Sequence, residues 1–453
     1  MAISTAFLRE QGLLARAMRS SAWTLFGFGA TQVVRLGSNL ILTRLLYPEA
    51  FGLMTLVTVA LVALANFSDL GIAPAIAHNK RGDDPDFLDT AWTLQVVRGL
   101  VLFLALWALA WPISWFYREP MLIEILPVAG LVMLIGGFTP TSLDTAHRHL
   151  LLGRVTLIDL LSAVIGIVVM VVIAFVTRSI WSLVAGSIVN TIARIALIHL
   201  FLPNSRNRFR WEPEASHELV HFGKWIFVST ICGFMVAQGD RVVLGRYLSL
   251  ELLGIYNVAY IFATFPLMLG GAVVGRILIP LYRERPPSAS VENFEKFRIL
   301  RLALTGAMVT MLLVVATFGV PLVTALYDPR FHAAGPIVVL LACVQIPQAI
   351  IMTYDQSALA AGDSRRFFLL MAPKAVLLTL GLLIGIQQAG LIGALVGQAL
   401  ATVIAYPLVV RLARRFGVWD PLHDLLFAVM GLVGTAIVIA ANADALRQLA
   451  LLQ

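Results

Sequence analysis

The sequence predicts an all-α, polytopic membrane protein made of two six-helix lobes related by a parallel internal repeat, with about one extra C-terminal span. Three observations predict it: an apolar composition, a series of apolar runs of spanning length, and one segment that recurs 202 positions later. Hydrophobic residues make up 59% of the chain and charged residues only 13%, with a mean hydropathy of +0.89. A soluble core of 453 residues cannot hide that much apolar surface, so the bilayer must take it.

A spanning helix needs about 20 mainly apolar residues. Runs of that kind occupy residues 21–46, 52–76, 88–115, 121–145, 155–177 and 180–202, and then 219–247, 252–281, 299–326, 334–360, 367–387, 390–410 and 424–442. That gives thirteen expected spans. Arg9, Arg16 and Arg19 precede the first run as in a signal peptide, but no small-residue cleavage site follows and Arg35 interrupts the run. A retained first span is expected.

Loop charges set the orientation. With a cytoplasmic N-terminus, the inside connectors hold Lys80, Arg81, Arg148, Arg154, the Arg206, Arg208 and Arg210 series, Arg283, Arg285, Lys296, Arg298, Arg365, Arg366 and the Arg411, Arg414 and Arg415 cluster. Outside connectors hold little beyond Arg118, Arg178, Arg246 and Arg330. This is a positive-inside pattern. It accounts for the net charge of +8 without a nucleic-acid partner.

The repeat rests on Trp23, Gly37, Arg44, Glu49 and Gly52, which recur without a gap as Trp225, Gly239, Arg246, Glu251 and Gly254. Six spans separate the copies, an even number, so both run in the same direction through the bilayer. The expected organisation is an N-terminal lobe over 1–202, a cytoplasmic linker over 203–217, a C-terminal lobe over 218–416 and an additional helix over 417–453. In the eighth span, Pro266 to Gly275 is the expected bend.

Ionisable groups near the bilayer centre cost about 2.5–3.5 kcal/mol each on insertion scales, so they persist where they face a bundle interior or a water-filled cavity. Arg35, Arg98, Arg194, Arg241, Arg276 and Lys374 lie deep in their spans, opposed at comparable depth by Asp69 and Asp240. Arg194 is within snorkelling reach of the surface. The remaining surplus of positive charge suits a cavity that receives an anion, and a guanidinium grips phosphate bidentately without ever losing its charge. Arg35, Arg98, Arg276, Lys374 and Arg241 are therefore the candidate substrate-binding residues, and Asp69 and Asp240 the candidates for ion coupling. Asp69, in NFSDLG, also suits the cap of a helix break. Glu124, Asp144, Asp159 and Asp355 fall near span ends and read as boundary residues.

Cys232 and Cys343 lie within apolar runs and read as packing residues, and the eight histidines show no metal-binding spacing. No metal and no cofactor is expected. Outside connectors such as 47–51 and 327–332 are too short to carry an extracytoplasmic catalytic domain, which argues against an enzyme.

Four stretches resemble the polysaccharide-exporting branch of the multidrug/oligosaccharidyl-lipid/polysaccharide flippase superfamily, the Wzx-like O-antigen and exopolysaccharide flippases. They are AWTLFGFGATQVVRLGSNLILTRLLYPEAFG, NFSDLGIAPAIAHNK, GDRVVLGRYLSLELLGIYNVAY and ALAAGDSRRFF. The resemblance implies a lobed helical bundle that moves a polyprenyl-pyrophosphate-linked oligosaccharide across the inner membrane by alternating access. It implies cations of a central cavity at Arg35, Arg98, Arg276 and Lys374, with membrane lipids, a polysaccharide polymerase and export machinery as partners. The family usually has twelve or fourteen spans, so a thirteenth departs from its pattern. A peptidoglycan-precursor flippase or a drug antiporter of the same superfamily is the alternative, and a membrane polysaccharide polymerase or ligase is a more distant one.

Overall fold

Within a bilayer no water satisfies backbone polar groups, so an apolar run must close its own hydrogen bonds as a helix. The computed structural model describes residue 27 and residues 29–451, apart from Leu70, Asn204, Ser205, Gln356 and Gly362, and every regular element among them is helical. In chain order these are α1 (29–45), α2 (Pro48–Phe67), α3 (Ile72–His78), α4 (Pro85–Tyr117), α5 (Leu122–Gly137), α6 (Ser142–Arg148), α7 (Leu152–Thr177), α8 (Trp181–Phe201) and α9 (Pro213–Tyr247). There follow α10 (Leu250–Val273), a π-helical turn (Val274–Leu278), α11 (Ile279–Glu284), α12 (Val291–Leu326), α13 (Ala334–Val344), α14 (Ile346–Asp355) and α15 (Ser357–Ala360). The described chain ends with α16 (Ser364–Arg415), α17 (Pro421–Ala441) and α18 (Ala443–Leu451).

Among the described residues eight helices are long and apolar enough to cross a membrane, and two bent pairs raise this to ten. The difference from thirteen lies in how the runs are broken or joined, in the first run, and in the run 219–247, whose helix α9 is not among the eight. The run 121–145 is split into α5 and α6 at 61°, and 334–360 into α13 and α14 at 42°. Two expected spans, 367–387 and 390–410, are the arms of α16, joined where Ala389 and Gly390 leave helical geometry and Gly390 takes φ +56°. The start of the run at 21–46 lies outside the described residues. In the eighth span the helix continues through Pro266, and the departure from α-helix begins at Val274, at the end of the Pro266 to Gly275 run, in the π-helical turn.

The chain divides into two compact units, residues 1–46 with 57–230, and residues 47–56 with 231–453. In the first, α7 and α8 pack through small residues: a Cβ on Gly166 would lie 2.9 Å from the Gly186 carbonyl oxygen, and one on Gly186 3.0 Å from that of Gly166. The segment Arg206–Glu212 is strapped along the start of α4. Asn207 donates to Asp89 at 3.1 Å and to Thr141 at 2.8 Å, the Arg210 amide donates to Thr93, the Glu212 amide to Thr90, and Arg210 pairs with Asp86 at 2.7 Å. Arg148 donates to the carbonyls of Ile76, Ala77 and Asn79, closing the end of α3.

The strap ends in an ion cluster. Arg81 bonds Glu212 through two nitrogens at 2.8 Å and Asp84 at 2.7 and 2.9 Å. These bonds hold the Asp84 and Glu212 carboxyls below the usual carboxylate range and raise the Arg81 guanidinium. A depressed carboxylate contributes stability that is complete above its unfolded pKa, about 4, and is lost as pH falls through the folded value. Protection of the Arg210 and Glu212 amides from hydrogen exchange, corrected for intrinsic rates, is therefore expected to stay flat from pH 8 to about 5 and to fall below about 4. Glu212→Gln should flatten that step; an unchanged profile in the variant would mean that other groups hold the strap.

In the second unit, the start of α2 meets the start of α10. A Cβ on Gly52 would lie 2.0 Å from the Leu250 carbonyl oxygen, and one on Gly254 1.9 Å from that of Pro48. Positions 48 and 250, like 52 and 254, are 202 apart, so the contact is reciprocal in the way an isologous contact is. Phe51 also packs edge-on against Phe331 at 5.7 Å, and Arg330 lies 4.9 Å over the Tyr47 ring. Helices α12, α13 and α17 pack beside α10 and α14, and α17 belongs to this same unit.

Candidate functional site

A cation inside a bilayer is tolerated when neighbouring dipoles or an opposite charge solvate it, and these two solutions have different consequences. Neutral partners leave the charge available to an anion. A carboxylate cancels it.

In the first unit Arg98 has neutral partners. Its Nε donates to Ser68 Oγ at 2.9 Å and its Nη2 to the Ala65 carbonyl at 2.7 Å, so it sits on the open carbonyl end of α2. Asp69, beside that end, accepts from the Gly71 amide at 2.9 Å, and Gly71 takes φ +64° to start α3. Ser68, Asp69 and Gly71 thus form a helix break on which Arg98 rests, and the Asp69 charge acts on that guanidinium. Arg35 is exposed on α1; its carbonyl accepts from Ser38 Oγ, and its guanidinium has no partner among the described residues.

In the second unit Asp240 and Arg241 both turn to α10 but to different groups, as adjacent helical positions about 100° apart must. Tyr256 donates its hydroxyl to Asp240 Oδ2 at 2.6 Å, and Asp240 is only 6% exposed. Arg241 donates to Gln238 Oε1 at 2.7 Å and stacks 4.0 Å over the Tyr260 ring, again a set of neutral partners. Arg276 lies in the π-helical turn, and its side chain lies outside the described residues.

Two charges counted as surplus in the sequence are neutralised. Lys374 donates to Asp355 Oδ2 at 2.8 Å with side-chain exposures of 1% and 8%, and Arg194 pairs with Asp159 at 2.8 Å. Asp355, the last residue of α14, is therefore a buried counterion as well as a residue at a helix end. Position along a span gives depth but not the lateral neighbour, which is why both pairs escape a one-dimensional reading.

Sequence reasoning also passes over a buried polar network at the basic end of the second unit. Arg301, ten residues into α12, is 1% exposed; it donates to the Val418 carbonyl and the Tyr354 hydroxyl, and lies 4.2 Å over the Tyr354 ring. Tyr354 and Tyr406 donate to the two oxygens of Asp424 at 2.8 and 2.7 Å. His423 bridges Asp424 and Thr305 at 2.8 and 3.0 Å, and Asp420 pairs with Arg298 at 3.1 Å. The only available signal was the clustering of Asp420, His423 and Asp424 at the start of an apolar run, which reads equally well as a helix cap. No group of three or more His, Cys, Asp or Glu side chains among the described residues is arranged to hold a metal.

Residues 41–336 match the model of a family described as polysaccharide biosynthesis protein. Among curated relatives, the amylovoran biosynthesis protein AmsL of Erwinia amylovora is 25% identical over 56% of this chain, spanning 65% of that protein's length. The lipopolysaccharide biosynthesis protein WzxC of Escherichia coli is 23% identical over 85% of this chain and 78% of its own. The succinoglycan biosynthesis transport protein ExoT of Rhizobium meliloti is 24% identical over 72% of this chain and 65% of its own. Two solved structures share the fold: a lipid II flippase MurJ in an inward closed conformation, with TM-score 0.68, 11% identity and 95% of this chain and 98% of that one covered, and the MATE multidrug transporter DinF-BH, with TM-score 0.62, 16% identity and 88% and 95% covered.

Proposed function

The chain belongs to the polysaccharide biosynthesis protein family, and from that membership we propose that it is a flippase for a polyprenyl-pyrophosphate-linked oligosaccharide. It carries the lipid-linked glycan from the cytoplasmic to the outer leaflet by alternating access, without making or breaking a covalent bond. The observation that supports this reading is the kind of partner its membrane cations have. Arg98 rests on a hydroxyl and a carbonyl, Arg241 on an amide oxygen and an aromatic face, and the Arg35 guanidinium has no partner among the described residues. Among the described residues no carboxylate is hydrogen-bonded to these guanidiniums, and a pyrophosphate is the group that satisfies guanidiniums best.

We assign substrate binding to Arg35, Arg98, Arg241 and Arg276, with Lys374 contributing only if its bond to Asp355 opens. Asp69 and Asp240 are the proposed coupling carboxylates. A polysaccharide polymerase and the export machinery are the proposed partners downstream.

The test uses proteoliposomes loaded with a fluorescent polyprenyl-pyrophosphate-linked glycan. Arg98→Gln keeps a hydrogen-bonding group but removes the charge, and transport is expected to fall roughly 10- to 140-fold, the loss of one charge-assisted contact of about 1.5–3 kcal/mol. Arg35→Gln should act in the same direction. Wild-type rates in both variants would remove the cationic-site reading, and glycosyl transfer by the purified protein would replace it with an enzyme.

A further inference from the structure

The second unit carries a cavity of about 500 Å³ lined by Tyr406, Pro407, Val410, Arg411, Arg414 and Trp419. It lies at the basic end of the second arm of α16, and none of the candidate substrate-binding residues lines it. Arg411 and Arg414 are exposed and have no carboxylate partner among the described residues. They are three residues apart on a helix, so both reach the same patch of surface. Arg414 is held in place by the Trp419 indole, with its guanidinium carbon 4.0 Å from the ring centroid.

The floor of this cavity is fixed from inside the protein. Trp419 Nε1 donates to the Tyr406 hydroxyl at 3.5 Å, and Tyr406 donates to Asp424 at 2.7 Å. Asp424 in turn belongs to the buried network of Tyr354, His423 and Arg301. Toward the middle of the arm, Leu400, Val403 and Ile404 are 54–61% exposed and follow the i, i+3, i+4 spacing that continues into Pro407 and Val410. One helix face therefore runs from an exposed apolar stripe to a pair of uncancelled guanidiniums beside an indole.

We propose that this groove is a binding site for an anionic membrane phospholipid of the cytoplasmic leaflet, with its phosphate between Arg411 and Arg414 and an acyl chain along Pro407, Ile404 and Leu400. Charge complementarity selects the headgroup: two guanidiniums without a counterion hold an anionic phosphodiester, whereas a zwitterionic headgroup brings its own cation to the same place. Trp419 supplies the amphipathic ring that favours the level of the headgroups.

The test places the full chain in nanodiscs and measures quenching of Trp419, taken as wild type minus Trp419→Phe, by brominated phosphatidylglycerol and by brominated phosphatidylcholine. Quenching by phosphatidylglycerol is expected at much lower mole fraction. Arg411→Gln with Arg414→Gln should shift its midpoint by roughly 20- to 30-fold, from about 1 kcal/mol for each basic residue at a membrane surface. Because both side chains are exposed, circular dichroism and Tm of that variant should match wild type. Counting lipids retained by the purified protein in native mass spectrometry gives a second readout, in which the double variant should lose phosphatidylglycerol selectively. Equal quenching by the two lipids would overturn the site. Stoichiometric displacement of phosphatidylglycerol by a polyprenyl diphosphate would overturn the phospholipid assignment and give the groove to the carrier lipid.

Discussion

Lys374→Ala is expected to destabilise the second unit by about 3–5 kcal/mol, the cost of removing one partner from a buried ion pair. Lys374 and Asp355 are 1% and 8% exposed at the side chain and 2.8 Å apart, and the second oxygen of Asp355 has no partner among the described residues. The truncation leaves a carboxylate with neither water nor counterion. Thermal unfolding in detergent should show a fall of roughly 6–20 °C, scaled from about 2–4 °C per kcal/mol for a unit of this size.

Removing both charges as Lys374→Met with Asp355→Leu should recover most of that loss, because apolar replacement of a whole buried pair is often neutral or stabilising. The same double variant separates two roles for Lys374. If it folds and transports normally, the pair is a structural tie between α14 and α16. If it folds and fails to transport, Lys374 acts on the substrate. A Lys374→Ala protein as stable as wild type would show that the pair is solvated in the membrane.

The second large effect is expected at the glycines that join the two arms of α16. A Cβ on Gly385 would lie 2.0 Å from the Gly393 carbonyl oxygen, and one on Gly393 2.1 Å from that of Gly385; Gly381 and Gly397 meet in the same reciprocal way at 2.4 and 2.0 Å. The sums of the paired numbers place the fold-back at position 389, where Ala389 and Gly390 are the residues that leave helical geometry. In lipid, helices gain little from hydrophobic burial and depend on close packing, so four glycines in contact hold this hairpin together.

Gly385→Ala should cost about 1–3 kcal/mol, the usual range for overpacking, and Gly385→Leu considerably more, because the obstructing atoms are backbone and cannot swing aside. Gly271→Ala on α10 is the control, since nothing lies within 4 Å of the added methyl. Yield of folded protein by fluorescence size-exclusion chromatography should rank wild type with Gly271→Ala, then Gly385→Ala, then Gly385→Leu. Equal yields for all four would show that the arms move apart at little cost.

These effects mark how far the sequence could be read. Transfer of apolar residues from water to lipid is additive along a chain, so composition and run length alone identified an all-α multi-pass membrane protein, and each expected span has helical residues within it. The NFSDLG stretch announced a helix break, because an Asp and a Gly at that spacing cap a helix well, and the break is there. The adjacency of Asp240 and Arg241 likewise implied different neighbours, and they have them.

What the sequence left open is lateral. The union of Lys374 with Asp355, the placing of Arg301 on Tyr354 above Asp424, and the meeting of Gly385 with Gly393 each depend on which helix faces which. Bends did too, since hydropathy counts α13 and α14 as one run and is blind to the 42° between them. The sequence by itself determined that these segments enter a membrane, because that free energy is a sum over residues. Only the tertiary structure decided which charges on these helices are cancelled by a carboxylate and which rest on neutral partners, because that depends on pairs of groups brought together across helices.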